Sequence, residues 1–451
     1  MTIYPVVAPG LAIHSYIVAD EKSKNALVID PTRDIDPILN ILKEHGLNLL
    51  YILETHVHAD FISGAKELKQ RLKGAPLILC SSEGGPEWVP KYADKTIKDK
   101  DTINLGSQQI MARHTPGHTP EHLIYILNKN ILPTMAFTGD FLFAGCIGRP
   151  DLINDKVDLL TEKLYHSIET VLSDLPDSLV LHPAHGAGSL CGKAISNSET
   201  TLGKERQSNP ALKKQPFDQW KKDVFKEMPK APQYFQRVKR LNVQGVNMLN
   251  SNPREIQGDQ LLKEDLNEVF ILDIRNQDEF ANGHIPGSLN IPMGPNFARW
   301  AGDFVPDSQE IIIIANKQSQ ALEAIKALHM IGMDNIKGYS FPGRDFLSQS
   351  FPYSEGALFK DQRPDVQIID VRTPSEWNNG HIPHAVHIEI DLLPLKINEL
   401  PKNKTLAFIC GTSYRASIAA SLAQKNGYDS IVNIKGGMQA WNQAGLPIQK
   451  P

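Results

Sequence analysis

Cysteine is scarce in this chain: four occur in 451 residues, Cys80, Cys146, Cys191 and Cys410, far apart and without paired spacing. That excludes a disulfide framework and a cysteine-rich zinc site. Long apolar runs are missing too, since no segment reaches the roughly 18 apolar residues of a membrane-spanning helix. Residues 1–12 lack the basic stretch of a secretory leader. There is no long run of lysine and arginine, and the formal net charge is −4. Neither nucleic acid nor an anionic membrane is therefore expected as the main partner. Together these absences point to a cytoplasmic protein acting on something small.

What the chain does contain is a repeat. Ile271-Leu272-Asp273-Ile274-Arg275, followed by Glu279-Phe280 and Gly283-His284-Ile285-Pro286-Gly287, recurs as Ile369-Asp370-Val371-Arg372, Glu376-Trp377 and Gly380-His381-Ile382-Pro383. The length suggests about three domains: 1–250, with a terminal helix plus linker from residue 205 onward, then 251–355 and 356–451. A second connection is expected at 350–364, where the composition turns to proline and polar residues.

The copies differ where chemistry is expected. Cys410 ends the apolar run 405–409, opens the loop Gly411-Thr412-Ser413-Tyr414-Arg415 and precedes a helical pattern at 416–424. A strand thus delivers the sulfur to loop N–H groups, a helix N-terminus and the charge of Arg415, which together favour a thiolate nucleophile. Aligning Gly332 with Gly427 puts Ala315 at the Cys410 position and Gln320 at the Arg415 position. The first copy can keep the fold without the nucleophile. Cys80, closing the apolar run 77–79, reads as an inert core thiol, and Cys146 is assigned no catalytic role.

Before the repeat, short apolar strands are expected at 26–29, 49–53, 77–79 and 179–181. Side chains able to bind metal cluster in the turns: Thr55-His56-Val57-His58-Ala59-Asp60-Phe61, His114-Thr115-Pro116-Gly117-His118-Thr119, Thr138-Gly139-Asp140 and Pro183-Ala184-His185. Isolated histidines are usually structural. Four such turns in one segment reverse that expectation.

On these motifs residues 1–250 resemble the metallo-β-lactamase superfamily, and each copy of the repeat resembles a rhodanese domain. The implied fold class is α/β: an N-terminal αββα sandwich followed by two rhodanese-like α/β domains with parallel sheets. The superfamily's pattern makes His56, His58, His118 and Asp140 candidates for one metal site, and Asp60, Asp140 and His185 for a second. Phe61 stands where binuclear members place a histidine ligand, and a phenyl ring cannot coordinate. A mononuclear site follows. Persulfide dioxygenases of the superfamily hold one Fe(II) through two histidines and an aspartate, which here are His56, His118 and Asp140, a facial set that leaves positions open for sulfur and O2. His58, Asp60 and His185 then become supporting groups or alternative ligands, and His114 a supporting residue. The segment Gly145-Cys146-Ile147-Gly148-Arg149-Pro150-Asp151 resembles the dioxygenase stretch that carries an arginine toward the thiol substrate, which assigns substrate binding to Arg149.

The rhodanese resemblance implies a six-residue loop from Cys410 to Arg415 that carries a persulfide. Gly411, Thr412, Ser413 and Tyr414 line its pocket, Arg415 supports the anion, and Asp370 and Arg372 hold the fold. The whole arrangement resembles the CstB-type persulfide dioxygenase–rhodanese fusions of sulfide detoxification. It implies oxidation of low-molecular-weight persulfides of glutathione, coenzyme A or a similar thiol to sulfite, with one Fe(II) per chain and O2, and transfer of sulfur through Cys410 to give thiosulfate. The alternative is a zinc thioester hydrolase related to glyoxalase II with attached rhodanese modules. The sequence leaves the preferred thiol and a homo-oligomer open.

Overall fold

Alternation of β-branched and apolar residues at 13–20, 25–29 and 48–53 builds the first of two six-stranded sheets. It runs in chain order through Thr2–Ala8, Ile13–Asp20, Asn25–Ile29, Asn48–Leu53, Leu77–Ser81 and Lys95–Ile97. Its first two pairings are antiparallel and the rest parallel. The second sheet is ordered Thr200–Thr201, Val180–Pro183, Leu132–Gly139, Leu123–Lys129, Gln108–His114 and Thr102–Leu105. In this computed structural model residues 1–451 are described except 130–131, 190, 192–198, 227, 229, 250–252, 262–263, 265–267, 342, 344–346, 360, 362 and 451.

The two sheets face each other across one apolar layer, to which Val18, Leu27, Ile29 and Leu53 contribute from the first and Ile110, Leu123, Tyr125 and Phe137 from the second. The outer face of the first sheet is covered by helices Asp36–Glu44 and Ala65–Arg71, through Ile38, Leu42, Ala65 and Leu68. The outer face of the second takes helix Val157–Val171, through Leu164 and Val171. This is the expected αββα sandwich. The expected strands all form, at Asn25–Ile29, Asn48–Leu53, Leu77–Ser81 and Val180–Pro183. In and just before the segment expected to hold a terminal helix plus linker, the described residues form three α-helices, Leu202–Ser208, Phe217–Lys226 and Tyr234–Gln244, separated at prolines. The expected boundary at 250/251 lies outside the described residues.

By its contacts the chain divides into residues 1–250 with 328–332, and 251–327 with 333–451. The second unit contains two five-stranded parallel sheets of the same order. One is Arg254–Glu255, Ile336–Ser340, Glu310–Ile314, Val269–Asp273, Leu289–Asn290; the other is Tyr353–Glu355, Ile431–Lys435, Thr405–Ile409, Val366–Asp370, Val386–His387. Tyr353–Glu355 falls inside the stretch read as a connection: it is an edge strand of only 3 residues, too short for periodicity to reveal. Residues 360 and 362 of that stretch lie outside the described residues. Among the described residues no helix is long and apolar enough to cross a membrane.

Both sheets carry the same buried fork at the end of the strand beside the central one, Val269–Asp273 and Val366–Asp370. Arg275 Nη2 donates to Asp273 Oδ2 at 2.5 Å and to the Gly283 carbonyl at 3.0 Å. Arg372 Nη2 donates to Asp370 Oδ2 at 2.7 Å and to the Gly380 carbonyl at 2.8 Å. Each fork ties a strand end to the turn after the next helix, so its presence beside Ala315 as well as beside Cys410 marks a structural device. Removing one member leaves a buried charge unpaired. Arg275→Ala and Arg372→Ala are each expected to destabilise the protein by about 3–5 kcal/mol, read as a fall in the urea midpoint by circular dichroism; a loss confined to Arg372→Ala would contradict a shared structural role.

Candidate metal and persulfide sites

The strand Asn48–Leu53 ends in the turn that carries His56 and His58, and strand Leu132–Gly139 ends one residue before Asp140. Both ends open on the same side of the sandwich. His118 comes from the turn after strand Gln108–His114, so three separate strand ends bring His56, His118 and Asp140 together. All three are buried. Asp140 Oδ2 lies 3.3 Å from His118 Nε2 and 3.9 Å from His56 Nε2, and these three atoms have no hydrogen-bond partner. Buried polar atoms are almost always paired, so three orphans converging on one point fit a cation.

The far side of each ligand is fixed. His118 Nδ1 lies 2.8 Å from the Arg149 carbonyl, which can only accept, so the proton sits on Nδ1 and the Nε2 lone pair faces the site. Thr55 gives its hydroxyl hydrogen to Asp30 Oδ2 at 2.8 Å and therefore accepts from His56 Nδ1 at 2.9 Å, which assigns His56 the same tautomer. Burial lowers the pKa of both imidazoles, keeping them neutral as ligands must be. For Asp140 burial pulls upward, but His185 and His118 beside it hold the carboxyl well below the usual range.

His185 bridges two carboxylates, with Nδ1 2.7 Å from Asp140 Oδ1 and Nε2 2.7 Å from Asp60 Oδ2. Burial opposes its charge, yet Asp140 and Asp60 outweigh that and raise it to about 10. His185, Asp60 and Cys191 also converge, with donor atoms within 4.8 Å of one another, which gives Cys191 a place that no local motif marks. His58 turns to the other side, where Nε2 lies 3.1 Å from Asp30 Oδ1 and 3.5 Å from Glu54 Oε2. Its ring packs between those of His56 and Phe61, at 4.1 and 4.2 Å between centroids. His114 faces away, with Nε2 2.9 Å from the Pro120 carbonyl.

Several supporting residues escaped the sequence reading. His122 Nε2 accepts from the Asp140 N–H at 3.1 Å and its Nδ1 meets Thr115 Oγ1 at 2.9 Å. Glu121 accepts from the Val57 N–H at 2.7 Å, and burial raises its carboxyl to about 7. The His118–x–x–x–His122 spacing was the available signal for His122; nothing local marks Asp30 or Glu54.

Arg149 is fully buried, and its guanidinium forks onto Asp151 at 2.6 and 2.9 Å. The preceding Gly148 packs so closely that an added Cβ would fall 1.7 Å from the Asp140 carbonyl oxygen. Only glycine lets this segment bring the Arg149 carbonyl to His118.

In the second unit, Cys410 is buried at the end of strand Thr405–Ile409, and helix Tyr414–Lys425 begins four residues later. Ser413 turns the loop with φ of 72° and anchors it by donating to the Ile434 carbonyl at 2.8 Å. The carbonyls of Cys410 and Gly411 accept from Met438 and Gln439 N–H at 2.7 and 3.0 Å. At Gly437 an added Cβ would lie 2.3 Å from the Cys410 carbonyl oxygen. Arg415 makes a two-pronged pair with Glu376, both contacts 2.7 Å. Burial pulls Glu376 upward, but Arg415 outweighs it and holds the carboxyl at about 2. Tyr414 sends its hydroxyl to the Pro292 carbonyl at 2.6 Å, and Thr412 is exposed. In the first copy Ala315 occupies the corresponding strand end, so no thiol is available there.

Residues 8–187 match the Metallo-beta-lactamase superfamily, and residues 259–340 and 357–444 match the Rhodanese-like domain. Over 205 residues, 45% of this chain and 73% of the relative, the sequence is 33% identical to a protein of Bos taurus named mitochondrial persulfide dioxygenase ETHE1. Over 208 residues, 43% of this chain and 89% of the relative, it is 31% identical to the hydroxyacylglutathione hydrolase GloC of Haemophilus influenzae. A solved structure described as a metallo-beta-lactamase from Staphylococcus aureus superposes with a TM-score of 0.68 at 31% identity, covering 76% of this chain and 99% of the other. The chain therefore belongs to the metallo-beta-lactamase superfamily, among homologues of the ETHE1 persulfide dioxygenases, with two rhodanese-like domains fused in tandem to that fold.

Proposed function

We propose that the protein oxidises low-molecular-weight thiol persulfides to sulfite at a single Fe(II) held by His56, His118 and Asp140, and passes sulfane sulfur through Cys410 to sulfite, forming thiosulfate. The observation that carries this reading is the trio of buried, unpartnered atoms, two from neutral imidazoles and one from an ionised carboxylate. His185 is seated between Asp60 and Asp140, and Phe61, packed on the His58 ring, offers no ligand atom for a second metal. When bound in such a two-histidine, one-carboxylate set, iron supplies the redox chemistry that brings O2 to a closed-shell sulfur.

The chain's own residues prepare the site. Thr55 with Asp30, and the Arg149 carbonyl, hold the two imidazoles in the donor tautomer. Arg149, its guanidinium steadied by Asp151, keeps the substrate-binding role assigned from its segment. Persulfide, O2 and water become thiol, sulfite and protons. In the second unit the Cys410 thiolate attacks the sulfane sulfur of a second persulfide, the S–S bond breaks, and the thiol leaves. Sulfite then takes the outer sulfur from the Cys410 persulfide, giving thiosulfate and the free thiolate. Gly411, Thr412 and Ser413 form the loop around these anions, and Arg415, held by Glu376, provides the neighbouring charge.

The similarity to a hydroxyacylglutathione hydrolase favours one other reading, zinc-dependent thioester hydrolysis with the rhodanese units in attendance. Metal analysis after anaerobic purification separates the two: one iron per chain with persulfide-dependent O2 uptake is expected, whereas two zinc ions with persulfide-independent thioesterase activity reject the proposal. Asp140→Ala is expected to abolish iron retention and O2 uptake while leaving thiosulfate:cyanide sulfur transfer measurable. Cys410→Ser is expected to keep O2 uptake but release sulfite where the parent forms thiosulfate, because a serine hydroxyl cannot carry a persulfide. Chromatography of bimane adducts resolves the two products, with an enzyme-free control for their spontaneous formation. Thiosulfate made by the variant as fast as by the parent would remove Cys410 from the scheme.

A further inference from the structure

The helix that follows the Cys410 loop is gripped along one face by the copy that has no cysteine. Tyr414, Ser417, Ser421 and Gln424 recur at spacings of three and four, which places them on a single helical stripe. Each one meets the first copy. Tyr414 donates to the Pro292 carbonyl at 2.6 Å, Ser417 Oγ donates to Asn290 Oδ1 at 2.6 Å, Ser421 Oγ accepts from the Asn290 N–H at 3.0 Å, and the Gln424 carboxamide lies 2.7 Å from His284 Nε2. Lys425 adds a bond to the Gly287 carbonyl at 2.7 Å.

Asn290 is the hub of this contact. It is fully buried, and its carboxamide nitrogen donates to the carbonyls of Asp273 and Arg275, both at 3.0 Å. With both hydrogens committed, Oδ1 has one direction left, toward Ser417. The backbone of the Asp273–Arg275 turn in the cysteine-free copy thereby sets the position of a helix in the other copy. The remaining supports of the loop come from its own copy, through Ile434, Met438 and Gln439. The first turn of the helix, where Tyr414 and Arg415 sit, is thus held from both sides.

We propose that the cysteine-free copy is a positioning element of the Cys410 site: Pro292 and Asn290 fix the first turns of helix Tyr414–Lys425 and so set how fast Cys410 accepts and passes sulfur, without touching the sulfur. This rests on the sulfur-transfer reading of Cys410. Reactivity of a cysteine at a helix N-terminus depends on where that terminus sits, and small displacements near a reacting atom carry large rate costs. The contact also gives the 284–292 segment of the first copy a role although that copy has no nucleophile.

The test uses the full chain with two variants, Tyr414→Phe, which keeps the ring and deletes one hydrogen bond, and Asn290→Ala, which lies in the other copy. Expected in both is a fall of about tenfold in kcat for thiosulfate:cyanide sulfur transfer, with KM for thiosulfate within about twofold of the parent. Alkylation of Cys410 by iodoacetamide at neutral pH, followed by peptide mass spectrometry, is expected to slow in parallel while the thermal midpoint of Tyr414→Phe stays at the parental value. Parental kcat and alkylation rate in a folded Tyr414→Phe protein would overturn the proposal, as would losses that merely track the folded fraction. If the parent itself transfers no sulfur, the sulfur-transfer reading fails; the alkylation rates then still decide whether Pro292 and Asn290 govern Cys410.

Discussion

A carboxylate as deeply buried as Asp140 cannot remain ionised without donors or cations around it, because removing such a charge from water costs several kcal/mol. Much of the polar interior of the first unit answers that requirement. His185 takes one oxygen and the backbone N–H of Asp140 is spent on His122, while the other oxygen and the Nε2 lone pairs of His56 and His118 converge on the point where a cation fits. Every one of these is held in turn: His185 by Asp60, His122 by Thr115, His118 by the Arg149 carbonyl, and His56 by Thr55 and Asp30. The strand ends that bear these groups are tied to one another through a single anion.

The second unit solves a different problem. There the reactive atom is a thiol at the end of a central strand, and the loop after it must be rigid without burying a net charge. Backbone carbonyls of the loop are satisfied by the helix that starts at Gly437, and the Arg415 charge is met by Glu376, itself held in a capping box at Thr373. In the first copy the equivalent glutamate, Glu279, meets Asn316, and with no arginine at position 320 there is no charge to hold. The frame is present there without the thiol or the arginine.

Much of this was legible in the sequence because it is encoded locally. Apolar strands followed by His-, Asp- or Cys-bearing turns announce both the sheets and the groups at their ends, and the repeated Asp-x-Arg and Gly-His-Ile-Pro signatures announce the tandem. What was not legible depends on which way side chains turn and on partners from other elements. Asp30 and Glu54 look like ordinary strand-end acids until His58 is seen turned toward them, and Cys191 looks inert until Asp60 and His185 appear beside it. The edge strand Tyr353–Glu355 has too few residues for a pattern and forms because strand Ile431–Lys435 offers it a free edge. The contact through Asn290 needs both copies in place, and no property of either copy alone predicts it.

The packing of Gly148 against Asp140 ties the segment around it to the ligand set. Its neighbour Arg149 lends a backbone oxygen to His118, and no side chain could fit where Gly148 lies. An ion taken up by His56, His118 and Asp140 binds the folded arrangement and not the unfolded chain, so mass action converts occupancy into resistance to unfolding. Preparations that differ only in how fully they are loaded should then differ in heat tolerance and in protease susceptibility around residues 145–151, before any turnover is measured.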